Sequence, residues 1–242
     1  MLEETEKTSL QIERHGGDNM SAEKELICIL TYIQENLVDG ELPRDFNLPL
    51  EITKNAFPYA DGAEDGIKLY HTYFSGMAAE SFPILDDMLH AVSVADYGSG
   101  MDILMRFAEK NFAIDVAREF QEYIFKQDWL EFDRLFEFAI LCLLSHDKNV
   151  VKYGLVMTVP FSDSFEEVKE IIRTLGLCNE FTIFTIFNML NWSSSNDEIF
   201  ALAKKVYGWG RIHAANVLKP ENEEIERWLL EESEDNDIGP EY

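Results

Sequence analysis

From Gly66 onward, apolar residues recur every three or four positions with almost no interruption, and this periodicity constrains the fold more than any other feature. Ala113, Val116, Ala117, Phe120 and Ile124 form one such stripe, and Phe165, Val168, Ile171, Ile172 and Leu175 form another. Ile199, Phe200, Ala203 and Val206 follow, and then Ile225, Trp228 and Leu229. A period of 3.6 residues places each set on one helix face, which must be covered by a neighbour. The segment Trp129 to Leu144 begins amphipathic and becomes apolar all round in Phe138-Ala-Ile-Leu-Cys-Leu-Leu144, which predicts a central helix covered on both sides. No alternating apolar and polar run bounded by turn residues competes, so the spacing predicts an all-α chain.

Upstream the pattern is broken. Residues 1–20 read as a polar lead. Ser21 offers an N-cap hydroxyl with Glu23 in the first turn, although Lys24 stands where a capping box takes Glu or Gln. Leu26, Ile27, Leu30, Ile33 and Leu37 continue at helical spacing to Gly40. Residues 41–66 carry Pro43, Pro49, Pro58 and two Asp-Gly pairs and read as a connector. Its Phe46, Leu48, Leu50, Ile52 and Phe57 require packing over helices, with short extended pieces allowed. The reading is one helical domain over 21–233 and an acidic, solvated tail over 234–242, since residues 221–242 hold ten acids and one base.

A weak internal period refines the architecture. Asn149-Val-Val-Lys-Tyr-Gly-Leu, Asn179-Glu-Phe-Thr-Ile-Phe-Thr and Gly210-Arg-Ile-His-Ala-Ala-Asn align with Val151, Phe181 and Ile212 in register, 30 and then 31 residues apart. Gly154 and Ala215 follow as small residues that let helices approach, whereas the middle copy has Phe184; Pro160 and Pro220 fall where the helices should stop. The period predicts an α-α superhelix of stacked antiparallel hairpins, HEAT- or armadillo-like, with an irregular bundle as the alternative.

Charge and missing signals bound the function. With 46 Asp and Glu against 20 Lys and Arg in 242 residues, the net charge is -26, which argues against nucleic acid as a partner. The longest uncharged stretch, Phe181 to Asn196, is broken by polar residues and falls short of the ~20 apolar residues a membrane span needs. Cys28, Cys142 and Cys178 lie far apart among apolar neighbours, as reduced buried thiols do. Because residues 1–17 are charged and polar without an apolar leader, a cytoplasmic location is expected.

Chemistry-bearing patterns are few. Asp61-Gly-Ala-Glu-Asp65-Gly66 fits a calcium loop at positions one, five and six. It fails at Ala63 and at Thr72, where the bidentate carboxylate belongs, so a turn leading into a helix N-terminus is expected. Asp61 and Asp65 stay among the candidate binding residues. Gly98-Ser-Gly100 lacks a preceding strand and a third glycine and reads as a loop. Asp87 and His90 share a helix face, but no second such pair completes a di-iron site, so no metal is expected. Nucleophile-elbow, zinc and phosphate-loop signatures are absent. The segment Tyr207-Gly-Trp-Gly-Arg-Ile-His213 is the most conspicuous. Trp209, Arg211 and His213 either line a pocket mouth or, structurally, Trp209 plugs a hairpin joint while Arg211 binds a neighbouring carbonyl or carboxylate.

Three segments carry a resemblance. Ala60-Asp-Gly-Ala-Glu-Asp-Gly-Ile67, Ile172-Arg-Thr-Leu-Gly-Leu177 and Ala201-Leu-Ala-Lys-Lys-Val-Tyr-Gly-Trp-Gly-Arg-Ile-His-Ala214 with Glu224-Ile-Glu-Arg-Trp-Leu-Leu230 resemble a Gram-positive (Firmicutes) family of helical-repeat proteins whose automatic name is limonene hydroxylase. The likeness runs from about Gly40 to the end and is strongest from near Ser164. It implies a cytoplasmic helical-repeat protein and brings no catalytic residues with it. Hydroxylation of a terpene needs oxygen activated on haem, flavin or iron, and no haem-type cysteine, dinucleotide fingerprint or paired iron motif is present, so no cofactor is expected. Two classes of function remain: an interaction scaffold whose acidity suits a basic or amphipathic protein or peptide, and a small-molecule binder or enzyme with a pocket near Trp209, Arg211 and His213.

Overall fold

Asp96, Asp147 and Asn222 each start a helix by accepting a backbone N–H of its first turn. The computed structural model describes residues 27–49, 59–72 and 76–239. The Ser21 cap, Leu26, Leu50, Ile52, Phe57 and the rest of the polar lead lie outside the described residues. Within them twelve α-helices form and no strand, apart from a single bridge between Val38 and Glu41. The first four are α1 (Ile29–Glu35), α2 (Ala63–His71), α3 (Phe82–Ser93) and α4 (Tyr97–Ala108). Then come α5 (Ala113–Phe125), α6 (Phe132–Leu143), α7 (Lys148–Thr158) and α8 (Glu166–Gly176). The last are α9 (Asn179–Met189), α10 (Ser195–Ala203), α11 (Gly208–Val217) and α12 (Glu223–Glu231). Asp147 caps α7 by accepting the Asn149 N–H at 2.9 Å, and Asn222 caps α12 by accepting the Ile225 N–H at 2.9 Å. Pro83 stands in the first turn of α3, where its missing donor costs nothing. As the proline positions predict, α7 and α11 stop ahead of Pro160 and Pro220.

Three boundaries differ from the sequence expectation. The Gly98-Ser-Gly100 segment is not a loop but the first turn of α4, because Asp96 accepts the Ser99 N–H at 3.2 Å and starts the helix. A Cβ at Gly100 would already stand 3.2 Å from the Phe138 ring, so that glycine serves close packing rather than a turn. Helix α2 begins at Ala63, inside the segment read as connector. Helix α1 ends at Glu35, short of Gly40.

Consecutive helices pack as pairs: α3 on α4, α6 on α7, α8 on α9 and α10 on α11. Alternate helices also touch, α5 with α7, α7 with α9 and α9 with α11, while α1 lies on α8. Hydrogen bonds tie positions one sequence period apart. Thr158 Oγ1 donates to Asn188 Oδ1 at 3.0 Å, Trp192 Nε1 to Ser162 Oγ at 2.8 Å, and the Ser193 N–H to Asp163 at 3.1 Å, all 30 residues apart. The Gly210 N–H donates to Asn179 Oδ1 at 3.0 Å, 31 residues apart. Val151, Phe181 and Ile212, the aligned apolar positions, are all buried.

One large apolar core runs from Ile29 to Trp228, with Phe107, Phe120 and Tyr153 packed ring against ring at its centre. Of the all-apolar segment, Phe138, Ala139, Cys142 and Leu143 are fully buried, whereas Ile140 and Leu141 are half-buried and Leu144 is exposed, so the helix is covered on one face and not all round. A second, small cluster of Ala63, Trp209 and Ile212 stands apart. Among the described residues no helix is long and apolar enough to cross a membrane.

Candidate functional site

Helix α2 lies across a row of four helices and makes a polar contact with each. Its start is set by Gly62, whose backbone is left-handed (φ +79°) and so close to α9 that a Cβ would stand 2.4 Å from the Asn179 carbonyl oxygen. One turn on, a Cβ at Gly66 would stand 2.4 Å from the Trp209 indole. These two glycines let the helix settle onto the row. From it, Lys68 reaches Asp115 on α5 at 2.9 Å, and Asp65 meets Lys152 on α7 at 2.5 Å. The Gly62 N–H donates to Glu180 on α9 at 3.0 Å, and the Tyr70 hydroxyl stands 3.0 Å from His213 Nδ1 on α11.

Beneath α2 is a buried ion network. Glu180 Oε1 lies 2.8 Å from Lys148 and 2.7 Å from Lys152, and none of the three is more than 8% exposed. Burial pushes the Glu180 carboxyl up, yet Lys152 and Lys148 overcome it and hold the group at about 2. Burial likewise opposes the Lys152 charge, but Asp65 and Glu180 raise its pKa above the ordinary lysine value. Burial pushes Asp65 upward against the pull of Lys152. Asp61 accepts the Leu48 N–H at 3.0 Å and faces the Cys178 thiol; burial, reinforced by Glu180, pushes its carboxyl up to about 6.

The five sequence candidates divide. Asp61, Asp65, Trp209 and His213 are brought together around α2, with the His213 ring stacked on Tyr70 at 5.6 Å and 6.0 Å from the Trp209 ring. Burial lowers His213 to about 4, and its fully buried Nε2 has no hydrogen-bond partner. Arg211 belongs to another neighbourhood. Its guanidinium donates to the carbonyls of Val206 (2.9 Å), Glu232 (3.3 Å) and Asp235 (2.9 Å), and lies over the Tyr207 ring at 4.6 Å. Arg44, on the other hand, pairs with Asp235 at 2.7 Å and Asp237 at 3.1 Å. The start of the acidic tail is thereby pinned rather than fully solvated, with Asn236 only 2% exposed.

Lys148, Lys152, Glu180 and Tyr70 were not singled out from the sequence. The repeat register was the available signal for two of them, Lys148 and Lys152. With Val151, Phe181 and Ile212 aligned, Lys148, Cys178 and Trp209 fall at one position, and Lys152, Thr182 and His213 at another.

The Lys148, Lys152, Glu180 and Asp65 network clamps α2 onto the row. An ammonium held charged has no lone pair for nucleophilic or base chemistry, and a carboxylate at about 2 is an acceptor only. Burial raises the Cys142 and Cys178 thiols well above their usual value, so neither forms a reactive thiolate. Among the described residues no three His, Cys, Asp or Glu side chains are placed to hold a metal. A cleft of about 280 Å³, lined by Leu190, Ser194, Asn196, Ile199, Val217 and Lys219, contains none of the five candidates. No family model, curated protein or solved structure matches the chain.

Proposed function

We propose that this chain is a scaffold of stacked antiparallel helical hairpins, HEAT- or armadillo-like, that binds a basic or amphipathic protein or peptide in the cytoplasm. The observation that carries the reading is the set of hydrogen bonds between residues 30 or 31 apart, since a stack of repeats joins like positions on successive units. Such a stack has an extended surface, and a net charge of -26 gives it long-range attraction for cations that salt screens. An unbiased pull-down at low and high salt tests the reading. A basic partner should be held at low salt and released at high salt; a chain that retains no protein at either, or only a small molecule, overturns it.

A second reading, a small-molecule binder or enzyme with its pocket near Trp209, Arg211 and His213, draws on the unpartnered His213 Nε2. Against it stands Arg211, whose guanidinium is committed to backbone carbonyls. The hydroxylase name attached to the resembling family has no support in the residues that oxygen chemistry needs. The purified chain should be colourless and oxidise no limonene with any electron donor; a stoichiometric chromophore would reverse this conclusion.

A further inference from the structure

We propose that residues 59–72 are a displaceable strap, an internal ligand seated on the face formed by α5, α7, α9 and α11, and that this face takes an amphipathic partner helix bearing an acid in its first turn. The proposal deepens the scaffold reading and rests on it, by giving the partner's chemistry and the surface it uses. The polar contacts that tie Gly62 and α2 to the row span long stretches of chain: 47 residues to α5, 87 to α7, 118 to α9, and 143 and 146 to α11. The helix therefore meets this face as a ligand does, across long stretches of chain, while the Leu48 N–H bond to Asp61 ties the segment's start to the preceding connector.

Its docking is separable from the rest of the fold. Of the residues of α2 only Ala63, Asp65 and Gly66 are buried, and Ala63 belongs to the small cluster with Trp209 and Ile212, not to the main core. Ile67 and Tyr70 are each 38% exposed. Of the α2 side chains only Leu69, half-buried, also packs against the large core, so lifting the strap uncovers one edge of that core and leaves the rest covered, the condition for a local opening that is cheaper than global unfolding. It also returns Lys148, Lys152 and Glu180 to water, and the hydration they regain offsets much of the lost pairing.

The contacts define what fits. Glycine is required at the first position, against the Asn179 carbonyl, and again four residues later, against the Trp209 ring. A carboxylate just before the second glycine meets Lys152, and a phenol four residues after it meets His213. The pattern Gly-x-x-Asp-Gly-x-x-x-Tyr is the recognition code of this face, with α2 the copy supplied in cis.

The test is anisotropy of a fluorescently labelled peptide of residues 59–72 added to the full-length chain. The wild-type chain should bind it weakly, because its own strap competes. Gly66→Ala in the chain jams the strap against Trp209, and the peptide should then bind at least about tenfold tighter, the occupancy tax having been removed. A peptide carrying Gly66→Ala should bind neither chain, and adding Lys152→Met to the Gly66→Ala chain should abolish the gain. A folded Gly66→Ala chain that binds the peptide no better than wild type overturns the proposal. If that variant does not fold, hydrogen exchange of the wild type decides. Exchange of the α2 amides by local opening, at least about 100-fold faster than those of α9, supports the strap, and equal protection of the two helices overturns it. A basic partner caught in the pull-down alongside a peptide that fails to bind would remove the strap and leave the scaffold reading standing.

Discussion

The Lys152 ammonium and the Asp65 carboxylate meet at 2.5 Å across 87 residues of chain, and both are nearly closed off from solvent. Lys152→Met leaves Asp65 and Glu180 buried with Lys148 as their nearest cation. The loss should be about 3–5 kcal/mol, because an uncompensated buried charge costs more than the pair contributes. Adding Asp65→Asn should recover part of it. Urea unfolding of the two single variants and the double variant gives the coupling directly.

Asp61 should make the chain less stable as pH rises. Its carboxyl titrates at about 6 in the folded state against 3.8 in the reference state, so the folded state holds the proton more tightly. The stabilisation is complete below about pH 3.8 and is lost as pH rises through 6, a span worth up to about 3 kcal/mol. Asp61→Asn keeps an acceptor for Leu48 and cannot ionise. Its stability relative to wild type should therefore grow between pH 4 and 7 in urea titrations, and a constant difference would refute the assignment.

His213 acts in the opposite direction. Burial lowers it from 6.5 to about 4, so its contribution is present above about pH 6.5 and is lost as pH falls through 4. The two groups offset each other within this window, which should flatten the wild-type profile. His213→Phe removes one side, and the variant should lose less stability on acidification than wild type does.

Arg211 is expected to behave as a structural tether. Arg211→Lys keeps the charge but not the rigid fork that spans three carbonyls. Amides of residues 232–239 should then exchange faster, by the equivalent of about 1–3 kcal/mol, while those of α7 are unchanged. A uniform change across the chain would show instead that Arg211 supports the whole fold.

Gly154 marks a close approach of α7 to α6, where a Cβ would stand 2.9 Å from Cys142 Cβ and 3.0 Å from the Leu143 nitrogen. Backbone cannot give way as a flexible side-chain tip does, so Gly154→Ala should cost about 1–3 kcal/mol by overpacking. Thermal unfolding followed by circular dichroism checks it.

Much of the helical layout was legible. The stripes from Ala113 to Ile124 and from Phe165 to Leu175 correspond to α5 and α8, and the prolines at 160 and 220 follow helix ends. Glycine was the weak point. Gly98 and Gly100 read as loop residues, because a helix interior disfavours glycine, but the Asp96 cap and the tight contact with Phe138 outweigh that preference. At the candidate site Asp61 and Asp65 were visible as carboxylates ahead of a helix, and Trp209 and His213 as an aromatic cluster. That these belong to one place was not visible.

The amino-acid order by itself determined which stretches become helices, where several start and stop, and which face of each seeks cover, because capping and periodicity act within a few residues. Only the tertiary structure decided that Lys148, Lys152 and Glu180 close over Asp65, that Gly66 receives an indole from 143 positions away, and that Arg211 holds the backbone at Glu232 and Asp235. Those pairings depend on how whole helices are laid across one another, and a lysine 87 residues from its carboxylate leaves no trace of the contact in its local sequence.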